Sequence, residues 1–126
     1  LRKVGSGGEL SRVMLALKST LAARDRIPTL VFDEIDAGVS GETAVRVGRL
    51  LEKLGESHQV LCVTHHAPIA ARADRHAAVR KEARRGRTYT QVLALDKRMR
   101  LEELARMMGG DEGWEAALRL ARELMR

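Results

Sequence analysis

Two acidic side chains, Asp33 and Glu34, stand directly after the apolar run Leu30-Val31-Phe32. Neighbours on an extended chain point to opposite sides, so the pair is suited to two different roles. Asp33 could hold Mg2+, a hard cation that takes one or two carboxylates together with phosphate oxygens and water. Glu34 could then orient or deprotonate an attacking water. Two solvated carboxylates opening a turn would read the same way. His65 follows a second apolar run, Val60-Leu61-Cys62-Val63, where its ring could donate to a terminal phosphate. A surface or packed histidine is the plain alternative. The third candidate is Gly5-Ser6-Gly7-Gly8, directly ahead of a helical pattern. Glycines let backbone N–H groups crowd together, and the start of a helix adds the positive end of its dipole, so such a loop can grip an anion without a lysine. A P-loop would end in Lys-Ser or Lys-Thr, whereas this one runs into Glu9-Leu10-Ser11-Arg12. A flexible linker before a helix fits the same residues. His58, His66 and His76 match no common ligand spacing, and one cysteine does not make a zinc site.

These groups need elements to position them. Residues 9–24 carry Leu10, Val13, Met14, Leu17 and Leu21 three or four apart, the spacing of one helical stripe. Residues 29–32 are a short continuous apolar run, the pattern of a strand buried on both faces of a parallel sheet. A Gly-containing loop over 37–41 leads to a helix over 42–55, with Val45, Val47, Leu50, Leu51 and Leu54 inward. A strand over 59–63 ends in Thr64-His65-His66, and 67–73 make a short helix with Pro68 in its first turn. Strands over 76–81 and 88–95 flank a connection at 82–87 and form a hairpin. Two helices close the chain, one over 97–108 stopped by Gly109-Gly110, the other starting near Asp111. Helices alternating with buried strands predict a layered α/β fold with a largely parallel sheet, in which ligands sit beyond the carboxyl ends of strands. Asp33-Glu34 and Thr64-His65 both fall at such ends.

Composition narrows the partners. The 126 residues are 44% hydrophobic and 32% charged, the balance of one folded domain. Cys62 has no second cysteine to pair with and lies in an apolar run, so it reads as core filler. No apolar stretch reaches membrane-spanning length. The net charge of +6 is concentrated: residues 72–106 hold eleven Lys/Arg against five Asp/Glu. A basic segment attracts polyanions, though a solvated basic face has the same composition. Phe32, Tyr89 and Trp114 are isolated, so a base-stacking platform is disfavoured and duplex backbone is the form of DNA contact allowed.

The order of motifs adds a resemblance. Ser6-Gly7-Gly8-Glu9, a helix, Leu30–Glu34, a short glycine loop and a strand ending at His65 resemble the C-terminal half of an ABC-type ATPase head. The segments SGGELSRVMLALK, PTLVFDEIDAGVSG, QVLCVTHH and LEELARMMGG narrow it to the RecN-like proteins, SMC-like ATPases of bacterial DNA double-strand break repair. The resemblance covers residues 1–126 and implies the C-terminal lobe of such a head: signature motif at Ser6, Gly7, Gly8 and Glu9, Walker B at Leu30–Glu34, D-loop at 37–40 and H-loop at His65. It implies ATP and Mg2+ as cofactors, with Asp33 on the metal, Glu34 and His65 catalytic, and Ser6, Gly7, Gly8, Glu9 and Ser40 binding nucleotide. The signature loop would meet the ATP of a second head in a homodimer. ATP binding would join the heads and hydrolysis part them. Walker A and the Q-loop are expected from an N-terminal half-head of the same polypeptide, with a coiled coil between the two halves, so the chain alone is expected to be inactive. Gly5 stands where many signatures have Leu, and Ser40 where many D-loops have Asp, a role Asp36 would partly take over. Double-stranded DNA or DNA ends are the expected partner, with Arg80, Lys81, Arg84, Arg85 and Arg87 in contact, no membrane, and a cytoplasmic, nucleoid-associated location. The alternatives are another ABC-type ATPase subunit and a non-enzymatic basic DNA-binding module.

Overall fold

The computed structural model describes residues 7–21, 27–84, 86–110 and 113–126, with the side chain of Arg84 outside that set. The chain divides into two compact units, Leu1–Arg72 and Ala73–Arg126.

The first unit runs α1 (Gly7–Leu21), β1 (Thr29–Phe32), α2 (Gly41–Gly55), β2 (Gln59–Cys62) and α3 (Ala67–Ala70). β1 and β2 are parallel neighbours, Leu30 beside Val60 and Phe32 beside Cys62, with α2 as the crossover. Ser40 caps α2: its hydroxyl accepts from the Thr43 N–H, releasing the helix from the preceding loop. Ala44, Val47, Gly48, Leu51 and Leu54 recur on the buried side of α2 and pack with Leu15, Leu30, Phe32, Ile35 and Ile69 in one core. At Gly48 an added Cβ would lie 3.0 Å from the carbonyl oxygen of Pro68, so the glycine permits close packing of α2 on α3.

Two expectations are corrected here. β1 is buried on one face only: Leu30 and Phe32 point into the core, while Val31 is 68% exposed and its register partner Leu61 is 51% exposed. The helical stripe on α1 is likewise bare, with Leu10, Val13, Met14, Leu17 and Leu21 all exposed and Leu15 supplying the inward contact. The apolar spacing is real, but burial needs a layer on that side. Val45 and Leu50 are also only partly covered on α2.

The second unit is the hairpin β3 (Ala77–Arg84) and β4 (Arg87–Ala94) with α4 (Lys97–Met107) and α5 (Trp114–Leu124), which pack on each other. The hairpin is longer than its apolar pattern suggests. Pairing continues to Arg84 opposite Arg87, so the expected six-residue connection shrinks to 85–86, with Gly86 at φ +75°. Asp96 caps α4 by accepting from the Met99 N–H at 2.7 Å. Gly109, at φ +80°, follows the end of α4 in the left-handed conformation expected of a helix stop. α5 begins at Trp114; the expected start near Asp111 lies outside the described residues. Leu104, Ala105, Ala117 and Ala121 are fully or nearly fully buried. Among the described residues no helix is long and apolar enough to cross a membrane.

Candidate functional site

The tips of β1 and β2 carry the candidate chemistry. Beyond Phe32 the chain turns through residues 33–38, closed by the Ala37 N–H on the Glu34 carbonyl at 3.0 Å and anchored by the fully buried Ile35. Asp33 and Glu34 both reach solvent, and Asp33 Oδ1 accepts from the Glu34 N–H at 2.9 Å. Glu34 sits at φ +55°, the left-handed region that a residue with a Cβ enters at a cost of about 1–3 kcal/mol. The surrounding turn must hold it there.

Part of that support comes from the start of α1. Gly8 is buried, and a Cβ on it would lie 2.8 Å from the Glu34 carbonyl oxygen and 2.9 Å from Ala37 Cβ. A Cβ on Gly7 would meet Glu34 Oε2 at 3.2 Å. The paired glycines therefore let the first turn of α1 lie against the turn over residues 33–38. One turn further along the helix, Ser11 Oγ donates to the Asp33 carbonyl at 3.2 Å. The Arg12 guanidinium donates to the carbonyls of Ile35 and Ala37 at 3.1 and 3.0 Å. Neither Ser11 nor Arg12 stands out in the sequence; Arg12 follows Gly8 by four residues, the one local sign that it faces the same turn. Glu9 lies exposed in the first turn of α1. Ser6 lies outside the described residues. Ser40 is at the loop's far end with its hydroxyl engaged in capping α2.

At the tip of β2 the Val63 N–H donates to the Phe32 carbonyl, carrying the strand pairing one residue further. Asp36, 2% exposed, then joins the two tips. Its Oδ2 accepts from Thr64 Oγ1 at 2.5 Å and from the His65 N–H at 2.9 Å, and lies 3.2 Å from His65 Nδ1. Burial alone would raise the Asp36 carboxyl, but the Thr64 hydroxyl, the His65 N–H and its own N–H, with the nearby His65 ring, hold it below the ordinary 3.8. The His65 side chain is 76% exposed, its ring 4.5 Å from that of His66. Donor atoms of Asp36, His65 and His66 all lie within 4.8 Å of one another, but Asp36 Oδ2 is already committed to Thr64 and His65. Cys62 is half-buried; burial, and then the charges of Asp36 and Asp33, push its thiol up to about 11, consistent with a packing role.

The donor set fits a magnesium nucleotide. Asp33 and Glu34 offer hard oxygens to solvent, and among the described residues no lysine or arginine is paired with either. His65 offers a ring on the neighbouring tip, and α1 brings its N-terminal end to Glu34.

Among the described basic side chains of the hairpin, the neighbours Arg80 and Lys81 lie on opposite faces. Arg80 pairs with Glu103 at 3.1 Å, a carboxylate also held by Arg106. Lys81 points to the alternate face, exposed, as is Arg87. The side chain of Arg84 and the whole of Arg85 lie outside the described residues.

The fold is that of an SMC-type ATPase head segment. A solved chain from work on the "structural biochemistry of ATP-driven dimerization and DNA stimulated activation of SMC ATPases" superposes with a TM-score of 0.60 at 25% identity, over 82% of this chain and 62% of that one. In sequence the chain is RecN-like from end to end. It is 49% identical to the DNA repair protein RecN of Vibrio cholerae over 99% of its length and 49% identical to that of Treponema pallidum over 100%. The value for RecN of Deinococcus radiodurans is 51% over 99%. The chain spans only 22–23% of the length of these relatives. No family model matches the chain.

Proposed function

We propose that this chain supplies the strand-tip half of a nucleotide site in a RecN-like ATPase acting in DNA double-strand break repair. The observation that carries the reading is the placing of Asp33-Glu34 and His65 on adjacent parallel strand ends. Asp33 would hold a Mg2+ ion, which when bound would offset the charge of the phosphates. Glu34 orients and deprotonates the attacking water, and His65 donates to the terminal phosphate. Ser6, Gly7, Gly8 and Glu9 face the nucleotide of a second head, so ATP joins two copies and hydrolysis releases them. Ser40 lies at the same seam. Most of this catalysis is positioning and charge stabilisation.

The bare faces of β1–β2 and α1 support a further N-terminal half-head, carrying Walker A and the Q-loop, packed against them. Duplex DNA contacted through the second unit, and a cytoplasmic, nucleoid-associated location, complete the reading. The likeness to RecN runs through α4 and α5, which favours this reading over a transporter-type subunit.

The test uses the full-length protein. Glu34→Gln is expected to lower phosphate release by about 10²–10⁴-fold while ATP-dependent pairing of heads persists in light scattering. Ser6→Arg is expected to abolish pairing. Residues 1–126 alone should release no phosphate. Identical pairing behaviour in the two variants, or turnover by the isolated chain, would overturn the division of roles.

A further inference from the structure

We propose that Asp36 is the positioning residue of His65: held by Thr64, its carboxylate fixes which ring nitrogen of His65 faces inward and which is presented to solvent. The catalytic consequence rests on the phosphate-donor role proposed for His65; the positioning itself does not.

A carboxylate removed from water is costly unless donors surround it. Asp36 is 2% exposed and receives the Thr64 hydroxyl and the His65 N–H, drawn from a segment 28 and 29 residues away in sequence. These two bonds fix the acid relative to the tip of β2. The same oxygen, Oδ2, then lies 3.2 Å from His65 Nδ1. An ionised carboxylate only accepts, so its charge 3.2 Å away favours a proton on Nδ1, which leaves Nε2 as the outward nitrogen. Thr64 also acts on the backbone, because its oxygen accepts from the His66 N–H at 3.0 Å and so turns the chain away after His65. The His65 ring is otherwise exposed, so without Asp36 it would swing among rotamers and tautomers. A purely structural clasp would need only the Thr64 and His65 N–H bonds. The third contact, onto the ring, is what assigns Asp36 to orientation. An ion shared by Asp36, His65 and His66 would compete with the Thr64 and His65 donors for the same carboxylate.

The test is made on full-length protein labelled with 15N-histidine, without nucleotide, the His65 signals assigned by their loss in His65→Gln. The expected result is a His65 ring protonated at Nδ1 in the native protein, that preference weakened in Asp36→Asn, whose amide oxygen still accepts but carries no charge, and lost in Asp36→Ala. Turnover of Asp36→Asn should fall about tenfold or more with KM for ATP little changed. Thr64→Val, which leaves Asp36 charged, should lie between. A native His65 protonated at Nε2 alone would overturn the proposal even if Asp36→Asn did not fold. So would Asp36→Ala with lowered melting temperature but unchanged ring signals and turnover per folded molecule, the mark of a structural clasp. A zinc-dependent shift of both His65 and His66 signals at micromolar zinc would overturn it in favour of a metal site. His65→Ala with undiminished turnover would instead sink the phosphate-contact role and leave the ring signals to decide Asp36.

Discussion

Gly8 shows how little room the site allows. A methyl group there meets backbone oxygen at 2.8 Å and a side-chain carbon at 2.9 Å, with neither free to swing aside. Gly8→Ala should therefore cost about 1–3 kcal/mol through overpacking, read as a lower urea midpoint at unchanged slope. Gly41→Ala, where nothing lies within 4 Å, is the matched control and should be near neutral. Cys62 gives a second reading of local environment. Its thiol is pushed up from the ordinary 9.0 to about 11 by burial first and by Asp36 and Asp33 next, so the reactive thiolate is scarce at neutral pH. Alkylation by iodoacetamide at pH 8 should be slower in the folded chain than in urea by on the order of 100-fold. The acid pair and His65 were legible because each ends an apolar run. Arg12 was not, Thr64 was legible only as the neighbour of His65 and Asp36 only as a stand-in, since their partners lie 23 to 29 residues away and no local spacing encodes such contacts.

The elements were easier to read than their surroundings. α2 shows both a cap and a buried side, and its ends fall within a residue of expectation. β1 was expected to be covered on both faces because an apolar run cannot say how many layers exist. The hairpin was underestimated because Arg84 and Arg87 look like loop residues, while strand pairing is decided by the partner opposite. That longer hairpin also sorts the basic residues. Lys81 and Arg87 are exposed, whereas Arg80 is tied to Glu103. In the full-length protein, Lys81→Glu and Arg87→Glu should each reduce the salt slope of duplex binding by about 1. Arg80→Glu should lower the melting temperature instead, because it places two carboxylates together. An unchanged slope in both exposed variants would remove the hairpin from the DNA surface.

Across the whole chain, two units with separate cores carry different parts of the proposed work, nucleotide chemistry in Leu1–Arg72 and the basic surface in Ala73–Arg126. The α/β class and strand-end site placement followed from alternation of helices and apolar runs. The split followed from nothing so local, since it depends on which cores close on themselves. β1 and β2, each with a single strand neighbour among the described residues, leave an open backbone edge on either side, with Val31 and Leu61 uncovered between them. Unshielded ladders of that kind recruit further strands from whatever is at hand. Produced by itself, this chain would therefore be prone to precipitate or form ribbon-like assemblies, and its colloidal behaviour would improve on co-expression with the N-terminal half-head proposed above.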